Sequence, residues 1–251
     1  MQKRTVALLA LALTCACTKP ERPVNAPGSL SVAAASNLTE VFGAVGKAFT
    51  DASQVPVTFS FGSTAQLAQQ IDHGAPFDVF VAADTTHVDA LLDKGRIAKQ
   101  SRLVYARGRL ALWAPTWDTA TLSPEALKDA RIRFIAIAQP SAAPYGQAAV
   151  DALTHLNLWE TLKPKIVFAN NIQMAKQFVE SGNADAAFTA FSLLTAEKNV
   201  VKVDAGLHQS LNQAAGIVEG SPREREATRF LDFLTSTQGR AILARYGYEF
   251  P

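Results

Sequence analysis

The sequence predicts an α/β protein of two lobes, each a mainly parallel sheet flanked by helices, with the lobes joined by two crossover strands. Short apolar runs alternate with segments whose apolar residues recur at helical spacing, a pattern typical of parallel sheets covered by helices. Two long extended stretches interrupt this alternation, and two crossovers between lobes would explain both. A single larger sheet is the alternative.

Three strands and three helices are predicted before the first interruption. Apolar runs at 29–35, 55–61 and 77–83 fit short buried strands. Each run is followed by apolar residues three or four positions apart, which predicts helices that bear Leu38, Val41, Phe42, Val45 and Phe49, then Leu67, Ala68 and Ile71, then Val88, Leu91 and Leu92. The first interruption is the extended stretch 102–115, with Gly108 in its middle.

The alternation resumes in the second half of the chain. Strands and helices are predicted in turn at 132–138, 146–156, 165–168, 173–181 and 184–190. A second extended stretch, 213–219, leads to a final amphipathic helix with Ala227, Phe230, Leu231 and Leu234. These interruptions assign residues 29–107 and 215–251 to lobe 1 and residues 108–214 to lobe 2.

The N-terminus predicts an exported protein. Lys3 and Arg4 precede an apolar run that is too short to span a bilayer, so residues 1–16 are interpreted as a signal peptide. Cys17 follows a small alanine, as at a lipoprotein processing site, where lipid would anchor the protein to the membrane from the periplasmic side. Ordinary cleavage and free export are the alternative. Residues 17–28 contain three prolines and are interpreted as a flexible tether.

The composition excludes several classes of protein. Removal of the signal peptide leaves 22 basic residues against 22 acidic ones, so the basic excess of a nucleic-acid binder is missing. The two cysteines, Cys15 and Cys17, lie outside the predicted lobes, which rules out a disulfide framework there. No Gly-x-Ser-x-Gly motif or metal-ligand spacing of histidines is present. We therefore expect neither an enzyme nor a bound cofactor.

Four predicted strand-to-helix junctions carry the functional signal. They read Ala-Ser-Asn-Leu at 35–38, Phe-Gly-Ser-Thr at 61–64, Ala-Pro-Tyr-Gly at 143–146 and Asn-Asn-Ile-Gln at 170–173. Helix N-termini bind anions through their unpaired N–H groups, and open α/β sheets bind ligands at the carboxyl ends of their strands. Serine, threonine and asparagine are also ordinary helix caps, so one such junction alone would indicate only capping.

The charge distribution narrows the class of ligand. No lysine or arginine lies between Lys47 and Lys94, or within 31–46 or 141–151. A phosphate ester or nucleotide site would normally recruit a basic side chain. Neutral donors alone suit a small, fully deprotonated oxyanion that is enclosed on all sides.

The same junctions carry a resemblance to a known family. The runs at 33–38, 61–71, 74–84, 143–146 and 245–248 resemble those of the periplasmic molybdate-binding proteins of bacterial ABC importers, and the similarity extends over residues 30–248. The resemblance implies a type II periplasmic binding protein, whose two lobes close on a tetrahedral oxyanion. It further implies a monomer that binds molybdate or tungstate and delivers it to the permease subunits of an importer.

The resemblance implies five ligand-binding residues: Ser36, Asn37, Ser63, Tyr145 and Ile172. Ser36 and Ser63 would each offer a hydroxyl and an N–H. Asn37 would add its side-chain amide, Ile172 its N–H, and Tyr145 either its phenol or its N–H. Ser36, Ser63 and Ile172 would approach the metal atom only through the oxygens of the oxyanion.

Two points remain open in this assignment. One branch of the family has a tyrosine where this chain has Thr189, which is therefore kept as a further candidate. A binding protein of the same fold for sulfate, or for another small oxyanion or solute, is the alternative function.

Overall fold

The computed structural model describes residues 28–250, which contain two five-stranded sheets flanked by eight α-helices. The predicted signal peptide and the tether with Cys17 lie outside the described residues, apart from Gly28. The first sheet contains β1 (Leu30–Ala35), β2 (Val57–Gly62), β3 (Val79–Val81), β4 (Leu103–Arg107) and β10 (Asn212–Ile217). The second contains β5 (Leu110–Trp113), β6 (Ile135–Ala138), β7 (Ile166–Ala169), β8 (Ala186–Ala190) and β9 (Val200–Lys202).

The helices follow the strands as the sequence predicts. They are α1 (Thr39–Ser53), α2 (Thr64–Asp72), α3 (Thr86–Asp93), α4 (Pro144–His155), α5 (Trp159–Leu162), α6 (Ile172–Glu180), α7 (Glu224–Thr235) and α8 (Thr237–Arg245). None of the helices in the described part of the chain has the length and apolar character needed to cross a membrane.

Three elements were not predicted: the one-turn helix α5, the strand β9 and the helix α8. β9 has only three residues, too few for a hydrophobic period to show. The prediction of a single final helix was wrong, because the chain turns after α7 and forms a second helix, α8. The hydroxyl of Ser236 accepts the N–H of Gly239 at 3.1 Å, which caps the new helix.

Each sheet is mainly parallel, with one strand reversed. The strand order is β2-β1-β3-β10-β4 in the first sheet and β7-β6-β8-β5-β9 in the second. β10 pairs antiparallel with both neighbours, and so does β5. The chain reaches each reversed strand from the other sheet: β5 follows β4 of the first sheet, and β10 follows β9 of the second. Because the chain leaves one sheet at the carboxyl ends of its parallel strands and enters the other at the same end, the incoming strand runs antiparallel. The predicted architecture is confirmed, although the lobe boundary predicted at residue 215 falls inside β10.

The first sheet is buried on both faces. All six residues of β1 are buried, which explains why this strand is apolar apart from Ser31. On one face, Phe42 and Phe49 of α1 contact Phe230 of α7 edge-on, with ring centroids 6.1 and 5.2 Å apart. α2 and α3 cover the other face. This packing fixes β1 and thereby the junction that follows it.

The C-terminal turn provides a test of the packing. Gly247 has φ +79°, and a Cβ at this position would overlap the ring of Phe191. Gly247→Ala is expected to lower the free energy of unfolding by about 1–3 kcal/mol, measured by urea unfolding. Gly43→Ala is the control, because Gly43 lies in α1 with no atom near its Cβ position. The free energy of unfolding of Gly43→Ala should rise by about 0.5–1 kcal/mol. An equal decrease in both variants would contradict a specific role of close packing at Gly247.

Candidate functional site

A small cavity lies between the lobes where the strands of both sheets end. It is lined by Ala35, Ser36, Asn37, Gly62, Ser63, Thr64, Ala83, Ala143, Pro144, Tyr145 and Ile172. The structure therefore brings all five predicted site residues to one place. The two lobes touch beside the cavity, since the N–H of Ala65 donates to the carbonyl of Ala142 at 3.2 Å.

The cavity is small and its lining is uncharged. Its volume of about 10 Å³ contrasts with the roughly 300–1,000 Å³ typical of pockets for organic ligands. None of its lining residues is acidic, basic or a histidine. A larger cavity of about 480 Å³ lies at the opposite, amino ends of β1 and β3, and no predicted site residue lines it. The uncharged lining fits a ligand held by neutral donors, and the volume, about that needed for one water molecule, leaves no room for an organic solute in this arrangement.

The first lobe contributes two serine hydroxyls. Ser36 begins a short 3₁₀ turn after β1, and its hydroxyl has no hydrogen-bond partner among residues 28–250. Ser63 caps α2, with its oxygen accepting the N–H of Gln66 at 3.4 Å. A hydroxyl that accepts a bond keeps its own proton for another acceptor. Both serines can therefore donate into the cavity.

The second lobe contributes backbone N–H groups from two helix N-termini. Asn171 caps α6 by accepting the N–H of Met174 at 2.9 Å, and the N–H of Ile172 has no acceptor in the described chain. In α4, Pro144 has no N–H, and Gly146 donates to the carbonyl of Ala143 at 2.9 Å. Tyr145 is thus left with a free N–H at the start of α4.

The Asn37 side chain does not serve the predicted role. Its Nδ2 donates to Gln213 Oε1 at 2.9 Å and to the hydroxyl of Tyr248 at 2.7 Å, so both amide hydrogens are engaged by the protein. This corrects the expectation that the amide would contact the ligand. The backbone N–H of Asn37 is the donor that remains. The sequence could not show this, because Gln213 and Tyr248 are about two hundred positions away along the chain.

The Tyr145 phenol also lies away from the donors. It is buried beside Asn37 and Gln213 and against Gly108 of the first crossover, where a Cβ would overlap it. The phenol oxygen makes no hydrogen bond of normal geometry within the described residues. Burial raises the pKa of this phenol well above its usual value, so it stays neutral. Of the two predicted modes, this placement favours the N–H of Tyr145.

Thr189 is buried but outside the cavity lining. Its hydroxyl donates to the carbonyl of Ile172 at 3.2 Å. Thr189 therefore anchors the first turn of α6 and offers no donor to the cavity. Three residues outside the cavity lining hydrogen-bond to Asn37, and the sequence did not single them out for this role, namely Ser192, Gln213 and Tyr248. Only Tyr248 had a signal in the sequence, as the last residue of the motif at 245–248.

Comparisons with known proteins agree with this geometry. A family model described as bacterial extracellular solute-binding protein matches residues 30–249. The molybdate-binding protein of Rhodobacter capsulatus is 33% identical over 226 residues, 89% of either chain. The molybdate-binding protein of Azotobacter vinelandii is 32% identical and covers 99% of this chain and 97% of its own.

Solved structures show the same two-lobed architecture. The periplasmic molybdate-binding protein of Azotobacter vinelandii superposes with a TM-score of 0.85 at 30% identity, over 89% of this chain and 100% of its own. A sulfate-binding protein from Mycobacterium tuberculosis superposes with a TM-score of 0.72 at 15% identity, over 88% of this chain and 86% of its own, a likeness of fold alone. The resemblance seen in the sequence motifs and the predicted fold are both confirmed.

Proposed function

The chain belongs to the bacterial extracellular solute-binding proteins, and we propose that it binds molybdate, or the similar anion tungstate, in the periplasm and delivers it to the permease subunits of an ABC importer. One observation carries the proposal. Free hydroxyl and N–H donors from both lobes surround a small uncharged cavity. Both relatives described above are named as molybdate-binding proteins, which supports the same substrate for this chain. Because these relatives are named as binding proteins, they also favour a role in binding rather than catalysis for this chain.

The donors are sufficient for tight binding without a cation. The cavity-lining residues offer about six neutral donors that have no acceptor in the described chain: the hydroxyls of Ser36 and Ser63 and the N–H groups of Ser36, Asn37, Tyr145 and Ile172. Hydrogen bonds to a charged acceptor contribute about 1.5–3 kcal/mol each, or roughly 9–18 kcal/mol before ordering costs. A dissociation constant between micromolar and nanomolar requires about 8–12 kcal/mol.

The donor set also favours an ion without protons. A phosphate ion carries a proton at neutral pH, and that proton needs an acceptor that the donors do not supply. Sulfate lacks a proton but is smaller than molybdate. Donors fixed on the backbone cannot move inward to contact the smaller sulfate ion, so we expect weaker binding of sulfate. Because sulfate has the same charge as molybdate, experiment must distinguish the two anions.

Anion selectivity is the first test of the proposal. Molybdate and tungstate at a hundredfold excess over the dissociation constant should each stabilise the protein by about 2.7 kcal/mol, which is roughly 5–10 °C in melting temperature. Thermal unfolding with each anion measures this. Sulfate should give a much smaller shift and phosphate none. Equal shifts with sulfate and molybdate would move the assignment to a sulfate-binding protein.

Ser36 tests the position of the site. Ser36→Ala should weaken molybdate binding by about 1–3 kcal/mol in calorimetric titration, because one donor is lost. Ser36→Asp should abolish binding, because a carboxylate would face the anion. Ser60→Ala is the matched control, since Ser60 lies on β2 outside the cavity lining and should bind as wild type. Unchanged affinity in Ser36→Asp would exclude this cavity as the binding site.

The pH dependence tests the neutral donor set. No cavity-lining side chain titrates between about pH 6 and 9, because burial keeps the Tyr145 pKa above this range. Affinity for molybdate, measured calorimetrically, should therefore be nearly flat. His87 lies in an adjoining cavity, where its hydrogen bond to Asp84 raises the His87 pKa. His87→Gln is the control that identifies a step from this histidine. A tenfold loss between pH 6 and 8 that persists in His87→Gln would refute the neutral site.

We also propose a lipid anchor at Cys17, in line with the processing site in the sequence. Wild-type mature protein should then partition into the detergent phase, and Cys17→Ala should remain in the aqueous phase. A wild-type protein found only in the aqueous phase would indicate free export and would leave the binding proposal unaffected.

A further inference from the structure

The C-terminal Tyr-Gly-Tyr motif at 246–248 has no part in the ligand site described so far, yet its last side chain is buried directly behind that site. The hydroxyl of Tyr248 accepts a hydrogen bond from Asn37 Nδ2 at 2.7 Å. Its single proton has two acceptors within reach, the carbonyl of Asn37 at 3.1 Å and Ser192 Oγ at 3.2 Å. Ser192 Oγ in turn donates to the carbonyl of Asn37 at 2.8 Å. The three residues form one closed hydrogen-bonded group.

This group joins three separate parts of the chain. Asn37 follows β1 of the first sheet, and Ser192 lies in a 3₁₀ turn that follows β8 of the second sheet. Tyr248 comes from the C-terminal segment 246–250. The Asn37 backbone is therefore held from the other lobe and from the chain end at once. Hydrogen-bonded groups of this kind act as a unit, because each bond orients the next.

The C-terminal segment is itself fixed across the hinge. Glu249 forms two backbone hydrogen bonds with Arg107 of β4, of 2.6 and 2.9 Å. Its carboxylate binds the guanidinium of Arg109, which follows β4 in the first crossover, at 2.7 Å. The missing side chain at Gly247 allows close contact with Phe191 of the second lobe. Tyr248 is thus placed by contacts to both lobes and to the crossover.

The residues held in this way are the ones that carry the donors of the first lobe. Ser36 and Asn37 are adjacent and both line the cavity, and their N–H groups and the Ser36 hydroxyl have no acceptor in the described chain. Asn37 is held at its side chain and at its carbonyl, so its backbone, including the preceding peptide that carries the N–H, has little freedom to lose when the anion binds. Such preorganisation increases affinity because the ordering cost is met before binding.

We infer that Tyr248 is a positioning residue for anion binding: its hydroxyl, together with Ser192, fixes the Asn37 peptide so that the Ser36 and Asn37 donors are aligned when the second lobe closes. The inference rests on the proposed function. It concerns a residue that does not touch the ligand cavity. Its effect on binding passes through Asn37.

The test uses Tyr248→Phe, which removes only the hydroxyl. Molybdate should bind about tenfold more weakly, a loss of the size of one hydrogen bond, with the change in the dissociation rate and little in the association rate. Stopped-flow fluorescence and calorimetry measure both. Tyr105→Phe is the matched control, because Tyr105 is equally buried and its hydroxyl has no partner in the described chain. This control should bind with wild-type affinity and rates.

Ser192→Ala provides a second, independent variant. It should raise the dissociation rate in the same way, and the double variant Tyr248→Phe with Ser192→Ala should lose less than the two separate effects combined. If Tyr248→Phe does not fold, Ser192→Ala decides the question. A purely structural role would lower the melting temperature of the ligand-free protein and leave the dissociation rate unchanged, and that result would overturn the inference.

The two proposals fail in different ways. A wild-type chain that binds molybdate while both variants bind it equally well overturns the inference and leaves the proposed function standing. A folded wild-type chain that binds neither molybdate nor tungstate overturns the proposed function and the inference with it.

Discussion

The site depends on one constraint: a dianion held without a cation must be surrounded by oriented dipoles. No charged side chain lines the cavity, so the unpaired N–H groups at the beginnings of helices supply the positive potential. A single helix offers only one or two such groups in the right direction. In the proposed site, donors from Ser36 and Ser63 in one lobe meet donors from Tyr145 and Ile172 in the other, and the two-lobed architecture brings them to one cavity.

The crossovers bring these helix ends together. Four strands of each sheet run in one direction. The helices that follow β1, β2 and β3 in one lobe, and β6 and β7 in the other, therefore begin at the same edge of their sheet. The chain passes between lobes at that same edge, so the incoming strands β5 and β10 run against their neighbours. The two crossovers also bind each other, as Gly108 N–H donates to the carbonyl of Leu211 at 2.9 Å. The two crossovers thus lie beside the cavity, with Gly108 against the cavity-lining Tyr145.

Behind the donors lies a buried polar layer, in which Gln213, Tyr248 and Ser192 do not line the cavity. Asn37, Gln213, Tyr248 and Ser192 bind one another, and the phenol of Tyr145 lies against the same crossover. Burying such groups is costly unless they are paired. Asn37 Oδ1 and the Tyr145 phenol have no hydrogen-bond partner among the described residues, while the other bonds of the layer hold the donor-bearing Asn37 backbone. Side chains that chemical type alone would assign to ligand binding serve here to hold the N–H groups that bind.

The sequence by itself determined the lobes, the junctions and the neutral character of the site, because periodicity, helix caps and the absence of basic residues are local properties. It placed Ser36, Ser63 and Ile172 where the structure brings them together. It could not decide what the Asn37 amide and the Tyr145 phenol contact, or that Thr189 binds the Ile172 carbonyl. Those contacts involve residues distant in sequence that meet only when the sheets are paired and the lobes close. Only the tertiary structure fixes which hydrogen bonds remain free for a ligand.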